Sequence, residues 1–393
     1  MNEECCIFAA NNAEMIKRAI EDKINNRLIA NKVILLFGAR RVGKTFLMRQ
    51  ILEKFKGEKL LLNGEDLDSL ALLEPQSIAN YKRLLNGIDL LAIDEAQNIP
   101  EIGKKLKLIG DEIPGIKVIA SGSSSFDLQN KAGEPLVGRS TQFHLFPFSQ
   151  VELMQKENSF ETRQNLEDRL IFGSYPEVIN ISDYNQKKDY LRDIVNGYLL
   201  KDILAIDGLK NSKKMSELLR LIAYQMGNEV SYDELAKQLG LSRNTVEKYL
   251  DLLSKVFVIY RLGAYSGNLR KEISKAAKWF FYDVGIRNAI IGNFNAIAQR
   301  NDIGQLWENY LISERIKQNS YLSEGKSFYF WRTYDGQEID LLEQSGDSIK
   351  AYELKWGDKL PKSPRAFSEN YPKASFSVIN RNNYLDFIED IDH

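Results

Sequence analysis

A buried strand that breaks at a glycine and restarts at once as a helix constrains this chain more than any other feature. Residues 33–45 read VILLFGARRVGKT. Val33, Ile34, Leu35, Leu36 and Phe37 form a short continuous apolar run, the pattern of a buried strand. The run stops at Gly38, and helical spacing resumes from Lys44 and Thr45 through Phe46, Leu47, Met48 and Ile51. Gly38, Ala39, Arg40, Arg41, Val42, Gly43, Lys44 and Thr45 satisfy G-x-x-x-x-G-K-[ST] at every fixed position. The two glycines permit backbone conformations that a side chain would obstruct, so successive N–H groups can turn inward around phosphate oxygens. The helix N-terminus adds partial positive charge. Lys44 is placed to reach the β- and γ-phosphates and Thr45 to bind Mg²⁺. A plain glycine turn is the alternative, but the strand before and the helix after are the context the motif demands.

At 393 residues the chain is longer than one hydrophobic core usually serves, so about two to four domains are expected. Hydrophobic residues at 44% and charged residues at 27% place it among ordinary globular proteins. A formal net charge of −1 gives no global case for nucleic acid or an anionic membrane, so any such contact has to be a local patch. The opening MNEECCIFAA lacks a basic n-region and a long apolar core, which argues against a signal peptide. No uninterrupted apolar run approaches about 18 residues, so no membrane span is indicated. Cys5 and Cys6 are adjacent, a poor disulfide framework, and nothing has zinc-site spacing. The expectation is a cytoplasmic protein.

Taken in order, residues 11–28 carry Met15, Ile16, Ile20, Ile24 and Leu28 at helical spacing and read as a helix leading to the first strand. Residues 59–63 (KLLLN) are a candidate second strand. Residues 90–97 (LLAIDEAQ) are the second anchor. An apolar strand delivers Asp94 and Glu95 at its C-terminal end, where α/β sheets place their ligands. Asp94 is the candidate to hold Mg²⁺, and Glu95 the candidate to polarise the water attacking the γ-phosphate. Residues 117–122 (KVIASG) read as another strand. Ser121 there is a candidate contact to the γ-phosphate or the water, against a serine-rich turn capping the next helix. Residues 143–148 (FHLFPF) are the candidate fifth strand. Just before it, Arg139 is a candidate to reach the nucleotide of this chain or a neighbour, against an ordinary surface arginine.

From Ser149 the pattern turns helical, in residues 151–155, 166–172 and 190–206, and reads as a lid. Residues 229–262 then give a helix, a turn at Gly240, a second helix capped by Ser242 and a strand at 257–262. This is a winged-helix reading, against an ordinary helical hairpin. The second helix exposes Arg243 and Lys248 but also Glu247 and Asp251, so its charge roughly cancels and domain docking is favoured over DNA reading. Residues 278–291 read as a strand and a short helix. In the last segment a helix carries Trp307 and Glu308, and strands at 328–332, 338–342 and 350–354 follow. Asp340 sits inside the second of these, and Glu353 and Lys355 end the third on one side of the sheet.

These residues resemble the prokaryotic AAA+-like ATPases that carry a C-terminal domain of unknown function. The resemblance rests on GARRVGKT (38–45), LLAIDEAQ (90–97), SGSSS (121–125), GSYPEV (173–178), FFYDVGIRNAI (280–290), WENY (307–310) and the WRT…EID…ELK series. It implies an α/β fold class: a P-loop NTPase core with a parallel five-stranded sheet, a helical lid, a winged helix and a C-terminal α/β restriction-endonuclease-like domain. The expected divisions are 1–148, 149–208, 209–275 and 276–393. It also implies a strand between the phosphate-loop strand and the Asp-Glu strand, for which 59–63 is the available stretch. In the tail, Asp340, Glu353 and Lys355 align with a PD-(D/E)xK pattern and Glu308 with an acidic helix residue, although Ile339 stands where the pattern has proline.

Three functions follow. One is an ATPase, with Lys44 and Glu95 catalytic and ATP and Mg²⁺ as cofactors, driving a conformational switch. Another is an ATP-gated, metal-dependent nuclease using Glu308, Asp340, Glu353 and Lys355. The third is a nucleotide-binding interaction protein with little turnover. Partners beyond ATP, whether DNA or another protein reached through the winged helix and C-terminal domain, stay open, as does assembly into an oligomer. A membrane partner is not expected.

Overall fold

A computed structural model describes residues 16–123, 136–199, 212–266 and 277–389. Within the described part of the expected first helix, Glu21–Arg27 is helical, and residues 11–15 lie outside the described part. So do Ser124, Ser125 and the end of the 190–206 stretch.

The strands β1 (Val33–Phe37), β2 (Lys59–Asn63), β3 (Leu90–Asp94), β4 (Lys117–Gly122) and β5 (Ser140–His144) form one five-stranded sheet in the order β2-β3-β4-β1-β5. All its pairings are parallel. Burial explains the composition of each strand. β1 and β3 are buried at every residue and are continuous apolar runs, β3 up to its last residue Asp94, whereas the edge strands β2 and β5 are partly exposed and more polar. One expectation needs correcting. The strand between β1 and β3 in the sheet is β4, paired Leu35↔Ala120 and Ile93↔Ala120, and residues 59–63 take the edge. Only edge positions tolerate a strand as exposed as β2. The fifth strand also begins earlier than expected, at Ser140, although Leu145 N still donates to Phe37 O at 2.7 Å.

Short helices follow β5, from Gln150–Leu153 to Tyr184–Asp193. They are tied to the later chain by Asp283, a buried side chain that accepts from Ser174 N at 2.7 Å and Ile286 N at 3.2 Å. The GSYPEV and YDVG stretches are thereby two halves of one junction.

The helix Ser212–Tyr224, the two-residue strand β6 (Glu229–Val230) and two further helices come next: Tyr232–Leu239, a turn with Gly240 at φ +63°, and Arg243–Lys255. Ser242 accepts from Thr245 N at 3.1 Å, the expected cap. β7 (Ile259–Ala264) pairs antiparallel with β8 (Ala277–Phe281), which also pairs with β6. A division at 275/276 therefore separates β8 from both strands it bonds to.

The sheet continues without a break. β9 (Ser327–Arg332), β10 (Glu338–Ser345), β11 (Ser348–Leu354) and β12 (Ser375–Ile379) complete a seven-stranded order β12-β11-β10-β9-β7-β8-β6 among the described residues. The long helix Ile303–Leu322 runs against this sheet with Trp307 fully buried. No described helix is long and apolar enough to cross a membrane.

Asp283→Ala strands two backbone N–H groups in a buried junction, which is expected to cost about 1–3 kcal/mol. Urea denaturation checks it through the midpoint: an unchanged midpoint would show that the junction contributes nothing.

Candidate functional site

The phosphate loop leaves β1 at Phe37. A Cβ on Gly38 would stand 2.2 Å from Leu145 O, so only glycine allows β5 to close against the loop. Further along, Arg41 and Gly43 take positive φ, +66° and +97°. These left-handed turns let the backbone curl around a concavity lined by N–H groups. The helix Lys44–Lys54 then starts with no side-chain cap on Gly43, so its first amides remain available to an anion. Lys44 is buried, and its Nζ donates to Gly38 O and Ala39 O, both at 3.0 Å.

β3 brings the acids to the same end of the sheet. Thr45 Oγ1 donates to Asp94 Oδ2 at 2.6 Å. Asp94 Oδ1 accepts from Ser121 Oγ and, at 3.1 Å, from Glu95 N. A hydroxyl and a carboxylate in contact form a hard oxygen pair suited to Mg²⁺, which takes one or two protein ligands and fills the rest with phosphates and water. No group of three or more His, Cys, Asp or Glu side chains poised for a metal occurs among the described residues. Glu95 has φ +47°, and its Oε2 accepts from Gln97 Nε2 at 2.5 Å. Gln97 also reaches Ser123 Oγ at 3.4 Å.

Two candidates sit differently from the sequence reading. Ser121 ends neither in a cap nor free in the site: it is fully buried, directing its hydroxyl at Asp94 and accepting from Glu95 N at 3.2 Å. Arg139 immediately precedes β5, whose first residue Ser140 pairs with Val33, at the end of the sheet opposite the phosphate loop. Its Nε bonds Asp111 Oδ1 at 2.8 Å on the surface. Strand direction thus keeps Arg139 away from the nucleotide site of its own chain, because a parallel strand entering beside Val33 leaves beside Phe37.

A second cluster lies on the seven-stranded sheet. β10 carries an irregularity between Ile339 and Leu342 that falls at Asp340, the kind of bulge that re-aims a side chain. Asp340 Oδ2 accepts from Leu354 N at 2.8 Å. Lys355 Nζ lies 2.5 Å from Glu353 Oε1 and 3.6 Å from Asp340 Oδ2, so one ammonium joins both carboxylates. Lys278 of β8 enters from the other side, 2.5 Å from Glu338 Oε1 and 3.2 Å from Glu308 Oε1. Burial pushes Glu308 up to about 8, with Lys278 opposing the shift and Asp340 adding to it. Burial also raises Glu353, helped by the Asp340 charge. For Lys278 burial acts downward, but Glu308 and Glu338 outweigh it and hold the ammonium charged.

Residues 30–154 match the family model described as an AAA domain. A solved structure, a Walker-type ATPase of Pyrococcus abyssi, aligns with TM-score 0.50 and 16% identity over 71% of this chain and 97% of its own, a likeness of fold. The core of this chain is a P-loop ATPase domain of the AAA type. Residues 163–296 and 303–392 match two domains of unknown function, DUF8612 and DUF4143. An uncharacterized protein of Methanocaldococcus jannaschii is 26% identical over 85% of this chain and 76% of its own length. One from Mycobacterium tuberculosis is 25% identical over 86% and 74%.

In this AAA-type domain the structure joins Lys44, Thr45, Asp94, Glu95 and Ser121 into one site. It adds Gln97, whose place in LLAIDEAQ is the signal that was available. Glu308, Asp340, Glu353 and Lys355 do come together, but Lys278 and Glu338 complete that cluster, and no spacing in the sequence pointed to Lys278.

Glu308 gives a pH dependence with a definite sign. Its folded value near 8 lies above its ordinary value of 4.5, so across that window the folded protein keeps a proton that the unfolded chain releases. Stability from this group is full below pH about 4.5 and declines as pH rises toward 8. Glu308→Gln should flatten that decline in denaturation series from pH 5 to 8; parallel curves for the two proteins would contradict it.

Proposed function

We propose that the chain hydrolyses ATP with Mg²⁺ and uses the cycle to move its C-terminal parts relative to the ATPase core. The observation that carries this reading is the convergence of Lys44, Thr45, Asp94 and Glu95 at the uncapped N-terminus of the Lys44–Lys54 helix. In the nucleotide-bound protein Lys44 exchanges the Gly38 and Ala39 carbonyls for β- and γ-phosphate oxygens, a stronger charge-assisted contact. Thr45 and Asp94 would hold the metal ion, which when bound would neutralise charge developing on those phosphates. Asp94 is kept in place by Ser121. Glu95, oriented by Gln97, accepts the proton of the attacking water.

The switch is supported by the way the core is wired to the rest. Gln150 N donates to Glu314 Oε2 at 2.7 Å, and Lys317 Nζ donates to Phe148 O at 3.1 Å, both across to the long helix. In the winged-helix-like part Arg243 pairs with Asp233 at 3.0 Å and Lys255 with Asp251 at 2.6 Å. Internally neutralised charges suit a docking element better than a phosphate-binding one, which needs several uncommitted cations. A cytoplasmic location fits a consumer of ATP.

One observation favours a second reading, a metal-dependent nuclease in the tail: Asp340 and Glu353 converge on one lysine, on adjacent strands β10 and β11. In that reading the carboxylates would hold the metal ion and Lys355 would stabilise the hydroxide or the developing phosphorane charge.

Lys44→Ala should abolish measurable ATP binding in calorimetry; undiminished affinity would remove the loop from the site. Glu95→Gln should bind ATP with Mg²⁺ normally yet turn it over about 10²–10⁴-fold more slowly. Turnover equal to wild type would mean that another group positions the water. For the tail, the nuclease reading requires cleavage of DNA in Mg²⁺ or Mn²⁺ that Asp340→Ala eliminates. A protein that never cuts, or an Asp340→Ala variant that cuts as well as wild type, rejects it.

A further inference from the structure

Arg18 lies upstream of the residues that match the AAA domain, yet its side chain reaches into the phosphate loop from outside it. Only 3% of it is exposed. Its Nη1 donates to Val42 O at 2.7 Å, one residue before the glycine that opens the Lys44–Lys54 helix. Its Nη2 donates to Phe146 O at 2.6 Å, and its Nε pairs with Glu152 Oε1 at 2.9 Å. The guanidinium also stacks 4.7 Å from the centre of the Phe148 ring. Glu152 is itself fully buried and accepts from Ala19 N at 2.8 Å and Ser149 N at 2.8 Å. A planar fork so fully committed has one geometry available, and it fixes the Val42 peptide from behind.

A further hydrogen-bond partner comes from far along the chain. Tyr321, in the last turn of the long helix, is buried and presents its hydroxyl to Arg18 Nη2 at 3.4 Å. The same hydroxyl accepts from Phe146 N at 3.2 Å. Phe146 thus bonds both side chains, through its carbonyl to Arg18 and through its N–H to Tyr321. This closes a small ring of hydrogen bonds through Arg18, Phe146 after β5 and Tyr321 of the long helix, and Arg18 ties that ring to the phosphate loop at Val42 O.

We infer that Arg18 is a positioning residue of the nucleotide site, and that Tyr321, by orienting Arg18, makes the long helix Ile303–Leu322 part of that site. The proposal rests on the nucleotide-binding reading of the phosphate loop. Phosphate binding requires the loop amides around Gly43 to point inward together. Arg18 restricts the Val42 carbonyl to the outward orientation that goes with this. Tyr321 holds the guanidinium in register, so a shift of the long helix is felt at the phosphate loop, and loop reorganisation is felt at the helix.

The test measures the Kd of the full-length protein for the non-hydrolysable ATP analogue AMP-PNP with Mg²⁺. The proteins are wild type, Tyr321→Phe, Arg18→Lys and the double variant, with melting temperatures recorded alongside. Tyr321→Phe keeps the ring and removes one hydroxyl, so it preserves packing; affinity should fall about three- to tenfold. Arg18→Lys keeps the charge and loses the fork, and affinity should fall more than tenfold. The double variant should bind no more weakly than Arg18→Lys alone, because Tyr321 acts through Arg18. Losses that simply multiply overturn the proposal. So does a Tyr321→Phe protein with a lowered melting temperature and wild-type Kd, which would mark a purely structural contact. Should Arg18→Lys fail to fold, Tyr321→Phe decides alone. Wild-type protein that binds no nucleotide rejects the phosphate-loop reading itself, a result distinct from wild-type binding that Tyr321→Phe leaves untouched.

Discussion

Burial of charge on one helix governs how the parts of this protein are joined. Along Ile303–Leu322, Glu314, Arg315 and Lys317 are each about 2% exposed. An unpaired charge so placed costs several kcal/mol, so each must find a partner of fixed geometry. Arg315 takes Glu343 of β10 in a two-pronged pair, Nε to Oε1 at 2.5 Å and Nη2 to Oε2 at 2.6 Å. Glu314 and Lys317 pair with each other at 2.8 Å and use their remaining capacity on Gln150 N and Phe148 O. The C-terminal sheet and the segment leaving the ATPase core are thus fastened to the same helix by interactions that tolerate little displacement. Tyr310 adds a further tie, donating to Gln150 Oε1 at 2.9 Å.

The nucleotide site shows a different economy. Its charged groups satisfy one another through contacts that a ligand can replace: Lys44 on two loop carbonyls, Thr45 on Asp94, Glu95 on Gln97. The positive φ values of Arg41 and Glu95 place strained backbone on both sides of the site, one at the phosphate loop and one after β3. Such conformations persist only where the surroundings enforce them. Here the Gly38–Leu145 contact and the Asp94–Ser121 bond supply the enforcement.

In the tail cluster, two lysines stand among four carboxylates, Glu308, Glu338, Asp340 and Glu353. The lysines come from different parts of the chain. Lys355 is local to the β11 end, while Lys278 belongs to β8, which pairs with β6 and β7. The sheet that runs unbroken from β6 to β12 brings the second lysine in. The electrostatics of the tail therefore depend on its neighbour, and a tail considered by itself would have a different charge balance.

Sequence alone determined what is local to the backbone. A glycine where a Cβ would collide, a lysine and a threonine at the first turn of a helix, and two acids at the end of a buried strand follow chain neighbours, so spacing exposes them. Helix caps such as Ser242 are legible for the same reason. Tertiary structure decided everything that depends on which distant segments meet. Strand order put β4 rather than residues 59–63 beside β1, because burial on both faces is a property of the sheet and not of a strand's own letters. The parallel entry of β5 carried Arg139 away from the phosphate loop. Lys278 joined Glu308 across 30 residues, and Arg18 joined Tyr321 across 303. No periodicity links such pairs in the chain; they are chosen by the requirement that a charge or hydroxyl, once buried by packing, finds a partner within hydrogen-bond reach.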